Sequence, residues 1–116
     1  MIKANLQIMD MGHQGDVILQ RIAKPPKGER IDIKEKGIAV LAHGEVTGHS
    51  HKIVSGDVLY YKVQRSVNMF ETFLEVLSDT AILEHEEHYP IELPKGIYSV
   101  RIQREYFPAE IKKVID

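Results

Sequence analysis

A chain of 116 residues, 43% hydrophobic and 28% charged, has the size of one domain built on one core, here read as residues 1–116. The absence of cysteine excludes disulfides, thiolate zinc sites and a cysteine nucleophile together. A formal net charge of −2 supplies no electrostatic drive toward nucleic acid or a membrane surface, and no apolar run approaches the ~18 residues needed to span a bilayer.

In chain order the dominant period is two. Ile2, Ala4, Leu6 and Ile8 alternate with Lys3, Asn5 and Gln7, the pattern of a half-buried strand and not of a signal peptide's continuous apolar core. The expected location is therefore the cytoplasm. After a glycine turn, GDVILQRI contributes Val17, Ile18, Leu19 and Ile22, and a polar, proline-containing connection leads to a short strand at Ile31 to Ile33. The apolar run GIAVLAH (Gly37 to His43) reads as a buried strand, and GDVLYYKV from Gly56 as another. ETFLEVL and TAILEH flank Ser78-Asp79, which predicts a hairpin turning at those two residues. In IYSVRIQREY, Tyr98, Val100, Ile102 and Arg104 face inward while Ser99, Arg101 and Gln103 face water. Only FPAEIKKVID departs from the pattern: Pro108, early Glu110 and later lysines match a short C-terminal helix. The expected fold class is all-β, a small antiparallel barrel or sandwich of seven or eight strands ending in that helix. Exposed edge strands make a homo-oligomer a further expectation.

Five of the six histidines fall in two short blocks, HGEVTGHSH (His43, His49, His51) and HEEH (His85, His88). His13, in MGHQG, reads as an ordinary loop residue. A straight strand from 43 to 51 would run about 26 Å, too long for one site, so Gly44 and Gly48 are expected to bend the chain. His49 and His51 share a strand face and can grip one ion. Pro90 disfavours helix at Tyr89, so HEEH is expected to be a tight turn or bulge after TAILEH. GIAVLAH and TAILEH both deliver a histidine at their C-terminal ends. If the two strands run the same way, both blocks meet on one rim. His43, His49, His51, His85 and His88 would then form a nitrogen-rich site for a divalent ion (zinc, iron, manganese or nickel), with Glu45 as general base and Glu86 or Glu87 nearby. Binding would weaken as pH falls through about 6.5, where imidazole protonates. Two exposed loops that never meet, or a hydrogen-bonded cluster without metal, account for the same residues.

LAHGEVTGHSH followed by LEHEEHYPIELPKGIYSVRIQREY resembles an uncharacterised family of small bacterial and phage-associated proteins carrying both blocks. A looser similarity is to cupins, β-barrels that bind metal through a glycine-flanked H-x-H, a glutamate and a third histidine. Gly48-His49-Ser50-His51 matches the first element; the glutamate expected soon after is replaced by KIVSG, and the proline-glycine turn LPKG follows the later histidines instead of preceding them.

Neither a nucleophile elbow, a P-loop nor a dinucleotide fingerprint is present. The expected function is a histidine-rich metal-binding barrel, a metal-dependent hydrolase or oxygen-using enzyme acting on a small-molecule ligand. Two alternatives stand beside it. One is a non-catalytic binding or assembly module. The other is a metal-free phosphodiesterase in which two imidazoles serve as base and acid.

Overall fold

The computed structural model describes residues 6–7, 11–44 and 48–103. The period-two segments become strands: β1 (Leu6–Gln7), β2 (Met11–Gln14), β3 (Val17–Ile22), β4 (Arg30–Asp32), β5 (Val40–His43), β6 (Ser50–Ser55), β7 (Val58–Ser66), β8 (Met69–His85) and β9 (His88–Ile102). They form one curled, half-barrel sheet in which neighbours run antiparallel, except that β1 runs parallel to β9. His13, read as a loop residue, lies in β2 opposite Ile18. The expected C-terminal helix, Arg104 and Glu45 lie outside the described residues. Among the described residues no helix is long and apolar enough to cross a membrane.

The hairpin expected at Ser78-Asp79 does not form; β8 runs straight through it. β6 and β7 lie end to end along one edge of β8, with Ile53 opposite Leu83 and Tyr60 opposite Leu74. On the other edge Val76 faces Gly96 and Thr80 faces Pro94, so β8 carries two extra residues there. They form a bulge whose polar groups are satisfied locally. The Asp57 carbonyl accepts the Leu77 and Ser78 N–H groups, and the Ser78 hydroxyl accepts Asp57 N–H and donates to the Thr80 carbonyl. Across the bulge the buried positions facing the main core change from even (Leu74, Val76) to odd (Ala81, Leu83). That break in phase resembles a turn when read from sequence alone. Gly56, at φ +102°, is required at this corner, because a Cβ would stand 2.6 Å from the Thr80 carbonyl oxygen and 2.8 Å from Ala81 Cα.

One face of the sheet carries the main core, including Leu19, Leu41, Tyr60, Leu74, Leu83, Ile91, Leu93 and Tyr98. Tyr61, Val63 and Phe73, with Ile22, make a smaller cluster on the other face, as alternation from Tyr60 to Tyr61 requires. Tyr98 and Val100 are buried, Ile102 is half-buried, and Arg101 is exposed, matching the inward and outward phases read for this segment.

Candidate functional site

β6 runs antiparallel to both β5 and β8, so β5 and β8 run parallel to each other and end on the same rim. The β5–β6 loop doubles back as expected: Gly44 N–H donates to the His49 carbonyl at 2.8 Å. Gly44 fits because a Cβ would lie 3.0 Å from that of His49. His51 continues the inward phase of Ile53, and His85 continues that of Ala81 and Leu83, so both cap the end of the core. HEEH is a two-residue turn: Glu86-Glu87 join β8 to β9 with His85 opposite His88.

These placements bring four rings together. His51 and His85 lie 4.2 Å apart centroid to centroid, tilted by 30°. His88 lies 4.7 Å from His85 and 5.8 Å from His51. His49 meets His85 edge-on at 5.7 Å. One ligand atom from each of His49, His85 and Glu86 falls within 4.8 Å of the other two. An open depression of about 310 Å³ adjoins them, lined by Lys52, Glu84, His85, Glu86, His88 and Pro90. A larger cleft, about 780 Å³, lies at the far end of β8 beside Arg65, Phe70 and Arg101.

A third turn, Gly15-Asp16 between β2 and β3, closes over the group. Gly15 (φ +61°) sits so near that a Cβ would be 2.9 Å from His88 Nε2 and 3.2 Å from His51 Cε1. Gln14 donates from Nε2 to the Leu83 and Tyr89 carbonyls at 3.0 and 2.9 Å, and its Oε1 is 2.8 Å from His51 Nδ1. His51 Nε2 lies 3.8 Å from Asp16 Oδ1.

The electrostatics differ from ring to ring. Burial, and then the nearby His88, hold the His85 imidazole below its ordinary pKa. Its Nδ1 accepts the Glu87 N–H at 3.0 Å. The Glu86 carboxyl is held below the usual range first by the Ser50 N–H, which it accepts at 3.0 Å, and then by its own N–H. His49 Nδ1 lies 3.7 Å from a Glu87 carboxylate oxygen.

Of the residues singled out from sequence, His49, His51, His85 and His88 meet. His43 reaches the same rim, but its exposed ring bonds both oxygens of Glu35 at 3.0 and 3.1 Å. Gln14, Asp16 and Glu35 were not anticipated. The only signal for the first two is the glycine turn in HQGD, which fixes a bend and says nothing about what the bend touches.

No curated protein and no solved structure matches the chain. A family model, described as a domain of unknown function (DUF8820), matches residues 13–103, a stretch that contains both histidine blocks and the turn that closes over them, and the chain belongs to that uncharacterised family.

Proposed function

We propose that the protein binds a divalent transition-metal ion at this rim through His49, His85 and Glu86, with His51 and His88 beside them. The observation that carries the reading is the convergence of those three ligand atoms, within 4.8 Å of one another, from the β5–β6 loop, the end of β8 and the β8–β9 turn. Imidazole and carboxylate together suit zinc, iron, manganese or nickel. Glu86 is kept anionic, and so ready to ligate, by the Ser50 N–H. Three protein ligands leave coordination positions open, and an octahedral ion that also takes His51 keeps two, whereas a closed structural site is filled by four ligands in a tetrahedron. A bound ion would supply a Lewis acid and acidify a coordinated water. We infer a hydrolase or oxygen-using enzyme, with a small-molecule substrate held in the adjoining depression. The glycine-flanked H-x-H shared with cupins supports the same reading.

Elemental analysis of untagged protein tests it. Stoichiometric metal in the wild type, lost in His49→Ala and in His85→Ala but kept in His43→Ala, is the expected result. Protein that neither carries metal nor takes up zinc, iron or manganese would refute it.

One observation favours a second reading, proton handling without metal. Because His85 Nδ1 accepts the Glu87 N–H, the neutral ring carries its proton on Nε2 and acts there as a hydrogen-bond donor. Ligation by His85 through either nitrogen requires Glu87 N–H to release Nδ1. Unchanged Glu87 amide and His85 ring signals on zinc addition would favour this second reading.

A further inference from the structure

Gln14 belongs to no ligand set, yet its side chain is fully committed. It is 2% exposed, and its amide nitrogen donates to two main-chain carbonyls, those of Leu83 in β8 and Tyr89 in β9. Exchanging the amide's oxygen and nitrogen would set an oxygen against both carbonyls, so the strands themselves fix its orientation. Oε1 therefore faces His51 Nδ1 as an acceptor at 2.8 Å, and Nδ1 carries the proton. A neutral imidazole has one N–H, so whenever the ring is neutral the lone pair of His51 falls on Nε2, which lies 3.8 Å from Asp16 Oδ1. His51 cannot turn away to escape this choice: it is 3% exposed, its ring lies 4.2 Å from His85, and Gly15 covers its Cε1.

We propose that Gln14 is a positioning residue of the metal centre. Acting through His51, which would join His49, His85 and Glu86 as a fourth ligand, it holds the neutral ring in the tautomer whose Nε2 lone pair is offered to the cation, beside the Asp16 carboxylate. The β2–β3 turn is then the third loop of the site. Gln14 orients a nitrogen, Gly15 gives the turn room to close, and Asp16 adds negative charge. This assignment rests on the metal reading for its affinity consequences but not for the tautomer itself. The physical basis is general: the partner on a histidine's second nitrogen sets which nitrogen is free to ligate, and removing it typically weakens metal binding about 10- to 100-fold.

Long-range ¹H–¹⁵N spectra of the imidazoles, recorded at a pH alkaline enough that the rings are neutral and assigned with single histidine variants, read the tautomer directly in the wild-type protein. The expected result is a protonated His51 Nδ1 and a lone-pair Nε2. In Gln14→Met, which keeps the length of the side chain without its amide, the two forms should average while circular dichroism shows the β-sheet retained. Zinc affinity, measured by calorimetry, should fall about 10- to 100-fold in Gln14→Met and at least as far in His51→Ala. The double variant should be no weaker than His51→Ala, since Gln14 acts only through that ring. A wild-type His51 protonated on Nε2 overturns the inference, as does zinc affinity unchanged in Gln14→Met, or losses that add in the double variant. Wild-type protein that takes up no zinc overturns the metal reading and with it the role of His51 as a ligand; the spectrum alone still decides whether Gln14 sets the tautomer.

Discussion

Substituting alanine at Gly15 and at Gly37 separates what the β2–β3 turn does for stability from what it does for the site. Both glycines have left-handed backbone, φ +61° and +82°. An L-residue held there costs roughly 1–2 kcal/mol. At Gly37 an added Cβ meets nothing within 4 Å, so that strain is the whole effect. At Gly15 the Cβ would lie 2.9 Å from His88 Nε2 and 3.2 Å from His51 Cε1. The His88 ring is exposed and moves at its far end, whereas His51 is buried and bonded to Gln14. The contact should therefore be relieved mainly by displacing His88, at small cost in stability. Each variant should lose about 1–2 kcal/mol, or about 4–8 °C in Tm for a chain of this size. Only Gly15→Ala should also shift the His88 and His51 ring signals and weaken zinc binding. Thermal melts paired with calorimetric zinc titration check both parts. Wild-type ring signals and zinc affinity in Gly15→Ala would refute the packing of this turn on the histidines. A stability loss in Gly15→Ala far beyond that in Gly37→Ala would refute the claim that His88 gives way.

Gly56→Ala should be much more damaging, because its Cβ would strike the main chain at Thr80 and Ala81 and no side chain there can swing aside. Adding about 1–3 kcal/mol for overpacking to the backbone strain gives a loss of roughly 2–5 kcal/mol, read as a drop in urea midpoint; a loss equal to that of Gly37→Ala would contradict the corner geometry. Stability should also respond to pH through His85. Its folded-state pKa lies below the ordinary 6.5, so below that value the unfolded chain binds the proton more readily. This stabilising contribution is complete above about pH 6.5 and is lost as pH falls through the folded pKa. Urea midpoints measured from pH 8 downward should fall with a shallower slope in His85→Gln than in the wild type, and parallel slopes would show that His85 does not titrate differently on folding.

Several features were legible because they are local. Alternation in Tyr98, Val100 and Ile102 set the inward face of β9, and glycine at 44 and 48 announced the bend that brings His49 back to Gly44. Pro90 correctly argued HEEH into a turn. The bulge at Leu77 to Asp79 reads as a hairpin in the sequence because two apolar runs flanking Ser78-Asp79 give the same signal whether the strand reverses or merely gains residues. What distinguishes the two is Asp57, whose carbonyl takes up the Leu77 and Ser78 N–H groups from a turn some twenty residues earlier. His43 was grouped with the other histidines because it ends an apolar strand, and no local pattern showed that Glu35 would take its ring.

The sequence by itself determined the strands, their buried faces and the concentration of imidazole at strand ends, because side-chain direction in a strand follows from the backbone's two-residue repeat. The tertiary structure decided which ends coincide and which partner meets Nδ1 of His51 and of His85. Gln14 and His51 are 37 residues apart, and Gln14's other partners, Leu83 and Tyr89, are 69 and 75 residues away. A hydrogen bond is specified by positions within a few tenths of an ångström. Such positions arise only when β2, β6, β8 and β9 have paired in one register, which no periodicity within a single segment encodes.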